Sequence, residues 1–304
     1  MGNRFFAAFP LRPGAVWLVG DGSVIGYPRC MSTTRQQLPL VGFCGMHVSR
    51  LIIGANPFGG FSHQSKQRDE EMLAYYTVAR IRETWDRALA AGINTFVTNN
   101  ESERVVKAVK EHLAAGTSMN WIAQVNCRLR PDMRQAIDEV VDAGCSALYF
   151  HGALVDTAYA EGDADTLVEW CRHARARGIP VGVAGHAPEA HLWVDALGIV
   201  DFHAVCFFNC GSLHEGKGEK FRLSDVARAV DALRRIDRPC IAYKIMGAGR
   251  IDARMALEYA FGSIKPTDLV NVGMHRGDDD AMVERNAAIV RSIVAAQRQG
   301  VPTP

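Results

Sequence analysis

Eight short β-branched apolar runs, a longer amphipathic run after each of them, and a chain of 304 residues predict an α/β protein built as a closed (β/α)8 TIM barrel, a fold that typically needs about 250 residues. Alternation of this kind makes a parallel sheet with helical crossovers, and eight repeats make closure the economical solution.

In chain order the strands are RLIIGAN from Arg50, NTFVTNN from Asn94, WIAQVNC from Trp121, SALYFHG from Ser146, PVGVAGH from Pro180, FHAVCFFN from Phe202, CIAYKIM from Cys240 and LVNVGMH from Leu269. The helices between and after them are expected over Arg68–Ala91, Ser102–Ala115, Pro131–Ala143, Asp163–Arg177, Pro188–Leu197, Ser224–Arg235, Asp252–Phe261 and Asp278–Arg298. Ser102 stands before the acidic Glu103, Pro131 suits a first helical turn, and Ser224 and Asp278 can cap. Gly92, Gly116, Gly144 and Gly178 follow helical runs as stop signals. Residues 1–37 do not join the pattern and are expected to be a flexible N-terminal extension, leaving 38–304 as the barrel.

The chain is 48% apolar and 22% charged with a formal net charge of +1, the profile of a globular protein. Lys and Arg are scattered rather than gathered in a stripe, so the electrostatic footprint of nucleic-acid binding is missing and a small-molecule substrate is expected. No apolar run approaches the roughly 20 residues of a membrane span. The opening MGNRFFAAFPLRPGAVWLVGDG is broken by Pro and Gly where a signal peptide has a continuous apolar segment. The expected setting is cytoplasmic and away from membranes. Eight cysteines lie far apart and read as reduced core residues.

In a barrel of this kind the C-terminal ends of the strands face the active site. Those ends carry Asn56, Asn99 with Asn100 and Glu101, Gln124 with Asn126, His151, His186, Asn209, Lys244 and His275. Four of them, His151, Glu101, Lys244 and His186, are the candidate catalytic residues. Asn56, Asn99, Gln124, Asn126 and Asn209 are candidate substrate ligands, with His63 in the loop after the first strand. Glu101, His151, His186 and His275 could offer one carboxylate and imidazoles to a divalent metal, or each His could simply bond within the cleft. An inward Lys244 could act as a base or form a Schiff base, or pair with Glu101. His203, at the start of its strand, belongs to the core. The polar run HEGKGEKFRLSD from His214 has the length of a lid, or of an ordinary solvated loop. The Asp278, Asp279 and Asp280 row suits a helix N-terminus.

The run GFCGMHVSRLIIGANPFGGF, followed by AAGINTF, ALYFHG, GIPVGVAGH, IAYKIMGAGR and VNVGMHRGDDDAMVERNAAIV, resembles the aldo-keto reductases over about residues 38–298. The resemblance implies a reductase barrel whose chemistry uses an Asp, a Tyr, a Lys and a His. Here the Asp place holds Val97 or Thr98, no Tyr lies in the loop beyond it, Gln124 stands for the Lys, and His151 alone remains. The nicotinamide donors are replaced by Ala184, Gly185 and Val205 or Cys206, while Arg276 and Asn286 occupy positions compatible with the adenine end of NADPH. The tetrad is thus degenerate. The favoured expectation is non-redox acid–base chemistry (lyase, isomerase or hydrolase) on a small hydroxylated or carbonyl compound such as a sugar derivative, with or without a divalent metal. The alternatives are an NADPH-dependent reductase in which His151 itself donates the proton, and an inactive ligand-binding barrel.

Overall fold

The computed structural model describes residues 38–128, 131–209 and 221–299. A hairpin, β1 (Leu40–Phe43) and β2 (Met46–Ser49), precedes a closed eight-stranded barrel. Its strands are β3 (Leu51–Gly54), β4 (Thr95–Asn99), β5 (Asn120–Val125), β6 (Ala147–Phe150), β7 (Val181–Gly185), β8 (Phe202–Cys206), β9 (Cys240–Tyr243) and β10 (Leu269–Gly273). All neighbours pair in parallel, and β10 closes the ring on β3. The (β/α)8 expectation holds strand for strand. The N-terminal extension, residues 1–37, lies outside the described residues, as does most of the loop from His214.

Alternation along each strand separates two cores. One residue set, Ile52, Val97, Ile122, Ala147, Phe202, Ile241 and Leu269, fills the barrel interior. The hairpin turns through Cys44 and Gly45, both at positive φ (49° and 83°), the geometry of a two-residue hairpin. It thereby sets Phe43 and Val48 against those residues, with Phe43 and Phe202 rings 5.0 Å apart. The hairpin thus covers the end of the barrel opposite the polar one. The other set, including Phe96, Leu148, Val183, Val205 and Val270, packs outward on the helices; Trp85 of the helical layer stacks on Phe96 at 4.4 Å.

The expected glycines Gly92, Gly116, Gly144 and Gly178 all adopt positive φ just past their helices, as chain-reversing stops require. Cys145, Cys171 and Cys240 are buried and unbridged, and burial pushes their thiols up to about 12. No helix among the described residues is long and apolar enough to cross a membrane.

Three helical expectations are corrected. The run expected as one helix from Arg68 is two, α1 (Lys66–Tyr75) and α2 (Val78–Ala90). Thr77 accepts from Arg80 N to start the second, and Tyr76 turns inward so that its hydroxyl joins Met274 O and Arg276 N. After α3 (Glu103–Ala114) and α4 (Met133–Asp142) comes a helix the sequence reading missed, α5 (Gly152–Glu161). α6 (Ala164–Ala176), α7 (Pro188–Leu197) and α9 (Ala253–Ser263) lie where expected, with α8 (Leu223–Arg235) and α10 (Met282–Arg298) between and after. Ser224 does not cap, since the N-cap position of α8 falls on Arg222. Nor does Asp278, because Arg68 holds it in the loop before α10.

Candidate functional site

The side chains at the mouth are placed by what each strand does where it ends. β6 runs directly into α5, with His151 as the N-cap: its Nδ1 accepts from Ala153 N at 3.2 Å. The neutral ring therefore carries its proton on Nε2. Burial first, then the charges of His186 and Lys244, lower its pKa to about 4, against the opposing pull of Asp156. His151 is a neutral imidazole with a fixed tautomer, able to donate from Nε2.

One turn along α5, Asp156 reaches the end of β7. Its carboxylate accepts from His186 Nδ1 at 2.8 Å, from His186 N at 3.0 and 3.1 Å, and from Ala187 N at 3.3 Å. Burial alone would raise this carboxyl, but the bonds from the His186 ring and the two backbone amides hold it below the usual range. Two glycines make the approach feasible. A β-carbon on Gly152 would stand 3.0 Å from the His186 ring, and one on Gly185 would stand 2.9 Å from His191 Nε2 and 3.4 Å from Asp156 Oδ1.

With Nδ1 committed to Asp156, His186 turns Nε2 to Lys244 Nζ at 3.4 Å. Lys244 ends β9 in the left-handed region at φ 56°, an uncommon state for a residue with a side chain and one stored at functional sites. Its ammonium lies 5.6 Å from the centroid of the Tyr243 ring, and the Tyr243 hydroxyl donates to Gly185 O at 3.4 Å. A small recess of about 90 Å3 opens beside His186, lined also by Cys206, Asn209, Asp225 and Arg228. A larger cavity of about 480 Å3, by Leu40, Phe261 and Val294, lies at the opposite end of the barrel; its one buried cation, Arg50, is spent on the Lys265 and Asp268 carbonyls.

Three of the four expected catalytic residues, His151, His186 and Lys244, therefore come together. Glu101 does not pair with Lys244; it sits after β4 with Oε1 buried and without a hydrogen-bond partner among the described residues. Asn56 and His63 bond each other, Nδ2 to Nε2 at 3.2 Å. Asn209 is exposed at the rim of the recess, and Gln124 accepts from the Tyr149 hydroxyl at 3.0 Å inside the barrel.

Other expectations need correction. Asn99 Oδ1 is occupied by Glu101 N and Ser102 N, in the turn between β4 and α3. Asn126 Oδ1 accepts from Arg128 N, while its backbone is tied to Asn100 on both sides. These amides shape loops. His275 belongs elsewhere, buried against Tyr75 and Tyr76 at 5.2 and 5.4 Å, so the set Glu101, His151, His186 and His275 is not assembled; among the described residues no three His, Cys, Asp or Glu side chains gather to hold a metal. Arg276, expected to face a nucleotide, is buried and donates to Glu83 (2.7 Å), Asp280 (2.7 and 3.1 Å) and Thr84 (3.1 Å). Asn286 is buried in α10. The neighbouring acidic row is drawn to arginines: Asp278 to Arg68, Asp279 to Arg285 and Asp280 to Arg87 and Arg276.

The sequence reading missed Asp156 because it missed α5. The signal was present: Val155 and Ala158 repeat at helical spacing before Gly162, which ends the helix at φ 69°. It also missed Tyr243, one position before Lys244, and Asn271, four positions before His275, both of which face the barrel interior.

No protein-family model and no curated protein matches the sequence. Among solved structures, the fold is similar to a putative aldo-keto reductase from Pseudomonas aeruginosa (TM-score 0.61, 15% identity, covering 86% of this chain and 99% of that one). It is also similar to the flavin-binding domain of baker's yeast flavocytochrome b2 (TM-score 0.60, 11% identity, 91% of this chain and 72% of that one) and to 3-hexulose-6-phosphate synthase from Salmonella typhimurium (TM-score 0.54, 15% identity, 81% and 98%). What the likenesses establish is the architecture: this chain is a TIM barrel of the kind on which reductases, synthases and flavin enzymes are all built.

Proposed function

We propose that the protein is a non-redox acid–base enzyme that moves a proton next to a carbonyl group of a small hydroxycarbonyl compound, as isomerases and enolate-forming lyases do. The observation that carries this is the Asp156–His186 pair with its free nitrogen turned to Lys244. Asp156 fixes His186 with the proton on Nδ1, so Nε2 is the basic atom. A bound substrate takes over the Lys244 hydrogen bond with its carbonyl oxygen, which frees Nε2 to remove the proton from the adjacent carbon. The electron pair of that C–H bond shifts to the carbonyl oxygen, where the Lys244 ammonium and the His151 Nε2–H stabilise the enolate. A neutral imidazole is well suited to this, since it polarises the oxygen without first giving up a proton to solvent. His186 then returns its proton to the same carbon, which is exchange; to the neighbouring carbon while the hydroxyl proton of the first carbon passes to the former carbonyl oxygen, which is isomerisation; or to a leaving group as its bond to the next carbon breaks, which is lyase chemistry.

The sequence departures support the same reading. Val97 lies in the apolar barrel interior and Gln124 is engaged by Tyr149, so neither supplies the carboxylate or the ammonium of the reductase tetrad. The Arg276 guanidinium is surrounded by carboxylates, a poor host for a nucleotide phosphate.

The test is deuterium incorporation from D2O into dihydroxyacetone, glyceraldehyde and a panel of aldoses and ketoses, followed by NMR. Wild type is expected to exchange the hydrogen beside the carbonyl of at least one of them, and His186→Ala to be slower by about 10²–10⁴, the worth of a positioned acid or base. Undiminished exchange in His186→Ala, or robust NADPH oxidation with simple aldehydes and ketones by wild type, overturns the proposal.

A further inference from the structure

The barrel interior holds a polar atom that no described residue satisfies. Asn271 Oδ1 is buried and has no hydrogen-bond partner among the described residues. Asn271 alternates with Val270 and Val272, which pack outward on the helices, and shares the inward side of β10 with Leu269. It pairs in register with Tyr243, which pairs with Cys206. Val205 pairs with Gly185, so the same row continues to His186. The row places Asn271 three strands around the ring from the proposed base. The opposite neighbour makes room for it: a β-carbon on Gly54 would stand 2.7 Å from Asn271 Oδ1. Any residue but glycine there would press on the amide.

An unmet buried acceptor is costly, and a side chain as replaceable as Asn is not needed to fill an apolar barrel. Glu101 Oε1, on the loop after β4, is a second buried acceptor without a partner among the described residues. The donors of the site lie on the other arc, at His151 on the end of β6 and Lys244 on the end of β9. A ligand complementary to this distribution presents an acceptor, the carbonyl oxygen, to His151 and Lys244 and a hydroxyl donor to β10.

We infer that Asn271 is a substrate-binding residue that accepts a hydrogen bond from a hydroxyl remote from the reacting carbonyl, so that the substrate is a polyhydroxy carbonyl compound rather than a simple ketone or aldehyde. The inference rests on the acid–base reading for which end of the substrate faces His186, but not for the hydrogen bond itself.

Binding is read without chemistry by saturation-transfer NMR titrations of dihydroxyacetone and of hydroxyacetone, which lacks one hydroxyl. Wild type is expected to hold dihydroxyacetone about tenfold more tightly, equivalent to about 1.4 kcal/mol. Asn271→Ala brings the ratio near one, and Asn271→Asp, which keeps an acceptor of the same size, retains a clear preference. An unchanged ratio in Asn271→Ala, or no binding of dihydroxyacetone by wild type at millimolar concentration, overturns the assignment. Melting of the ligand-free proteins checks the premise: Asn271→Ala melts close to wild type, whereas a fall of more than about 5 °C shows an amide bonded within the fold and also overturns it. D2O exchange on the same samples separates the two readings, since a binding ratio that behaves as stated without any exchange sinks the acid–base mechanism and leaves Asn271 in place.

Discussion

At the β7 end of the barrel one carboxylate, Asp156, serves an imidazole that in turn faces a lysine and a second histidine. At the β10 end the ratio is reversed: Arg68, Arg87 and Arg276 each hold two carboxylates, from Glu71 and Asp278, Asp280 and Glu284, and Glu83 and Asp280. Both regions are densely polar, and in the sequence both read as candidate ligand sites. The difference is compensation. A guanidinium bridged by two carboxylates has its donors and its charge already answered, so it fastens α1, α2 and α10 to one another and has little left to offer a phosphate. An imidazole with one nitrogen fixed and the other turned to a cation keeps a lone pair for a substrate. Charge density alone does not mark a site; unfinished pairing does.

The sharpest way to test that contrast is Asp156→Asn. An amide oxygen can still accept from His186 N and Ala187 N, so the end of β7 keeps its shape. What it cannot do is act as an anionic partner for the Nδ1 proton. We expect exchange activity to fall by about 10²–10⁴ with the melting temperature little changed. A loss of activity below tenfold would make Asp156 a fastener like the carboxylates around Arg276.

A second test uses pH. Burial lowers the pKa of His191 to about 4 and that of His203 well below its ordinary value of 6.5, and His151 is lowered to about 4. Between those limits the unfolded chain binds protons that the native one refuses, so stability is full above about pH 6.5 and is lost as the pH falls toward 4. Each fully buried ring contributes on the order of 1 kcal/mol per pH unit within that window. Melting temperatures at pH 7 and pH 5 check this; equal values would mean that the His191–His203 contact, Nδ1 to Nδ1 at 3.1 Å, already carries a proton. Catalysis should follow a different course. His151 remains a neutral donor down to about pH 4 and adds no acidic limb of its own above that value.

How much of this was legible follows from the physics of each signal. All eight barrel strands could be read because a strand buried on both faces is a continuous apolar run bounded by turns, a local property. His151, His186 and Lys244 could be read because a strand end in a barrel has one address, the mouth. Asp156 was missed, since it reaches the mouth from the side of a helix whose Ala-rich stretch gives only a faint signal, Val155 and Ala158 before Gly162. His275 misled for the converse reason: two residues past the end of β10 the chain has already turned to pack on Tyr75 and Tyr76. Asn99 and Asn126 show a further limit, because an amide that closes a loop turn and one that binds a ligand look alike in sequence, and only the partners tell them apart.

The smallest effect is expected at the β10 end, from Arg276→Met. The guanidinium is only 5% exposed, yet its partners Glu83 and Asp280 are 54% and 69% exposed, so both carboxylates can return to water when it is removed. That limits the cost to about 1–2 kcal/mol, mostly the lost bonds to Asp280 and Thr84 and the packing of the arginine stem. A fall of a few degrees in melting temperature should result, with deuterium exchange unchanged because the loop before α10 is also held by Arg68 through Asp278 and by the backbone of Arg276 on the Tyr76 hydroxyl. Loss of exchange without loss of stability would place Arg276 in the chemistry after all, and with it would go the idea that fully paired charges in this barrel are structural.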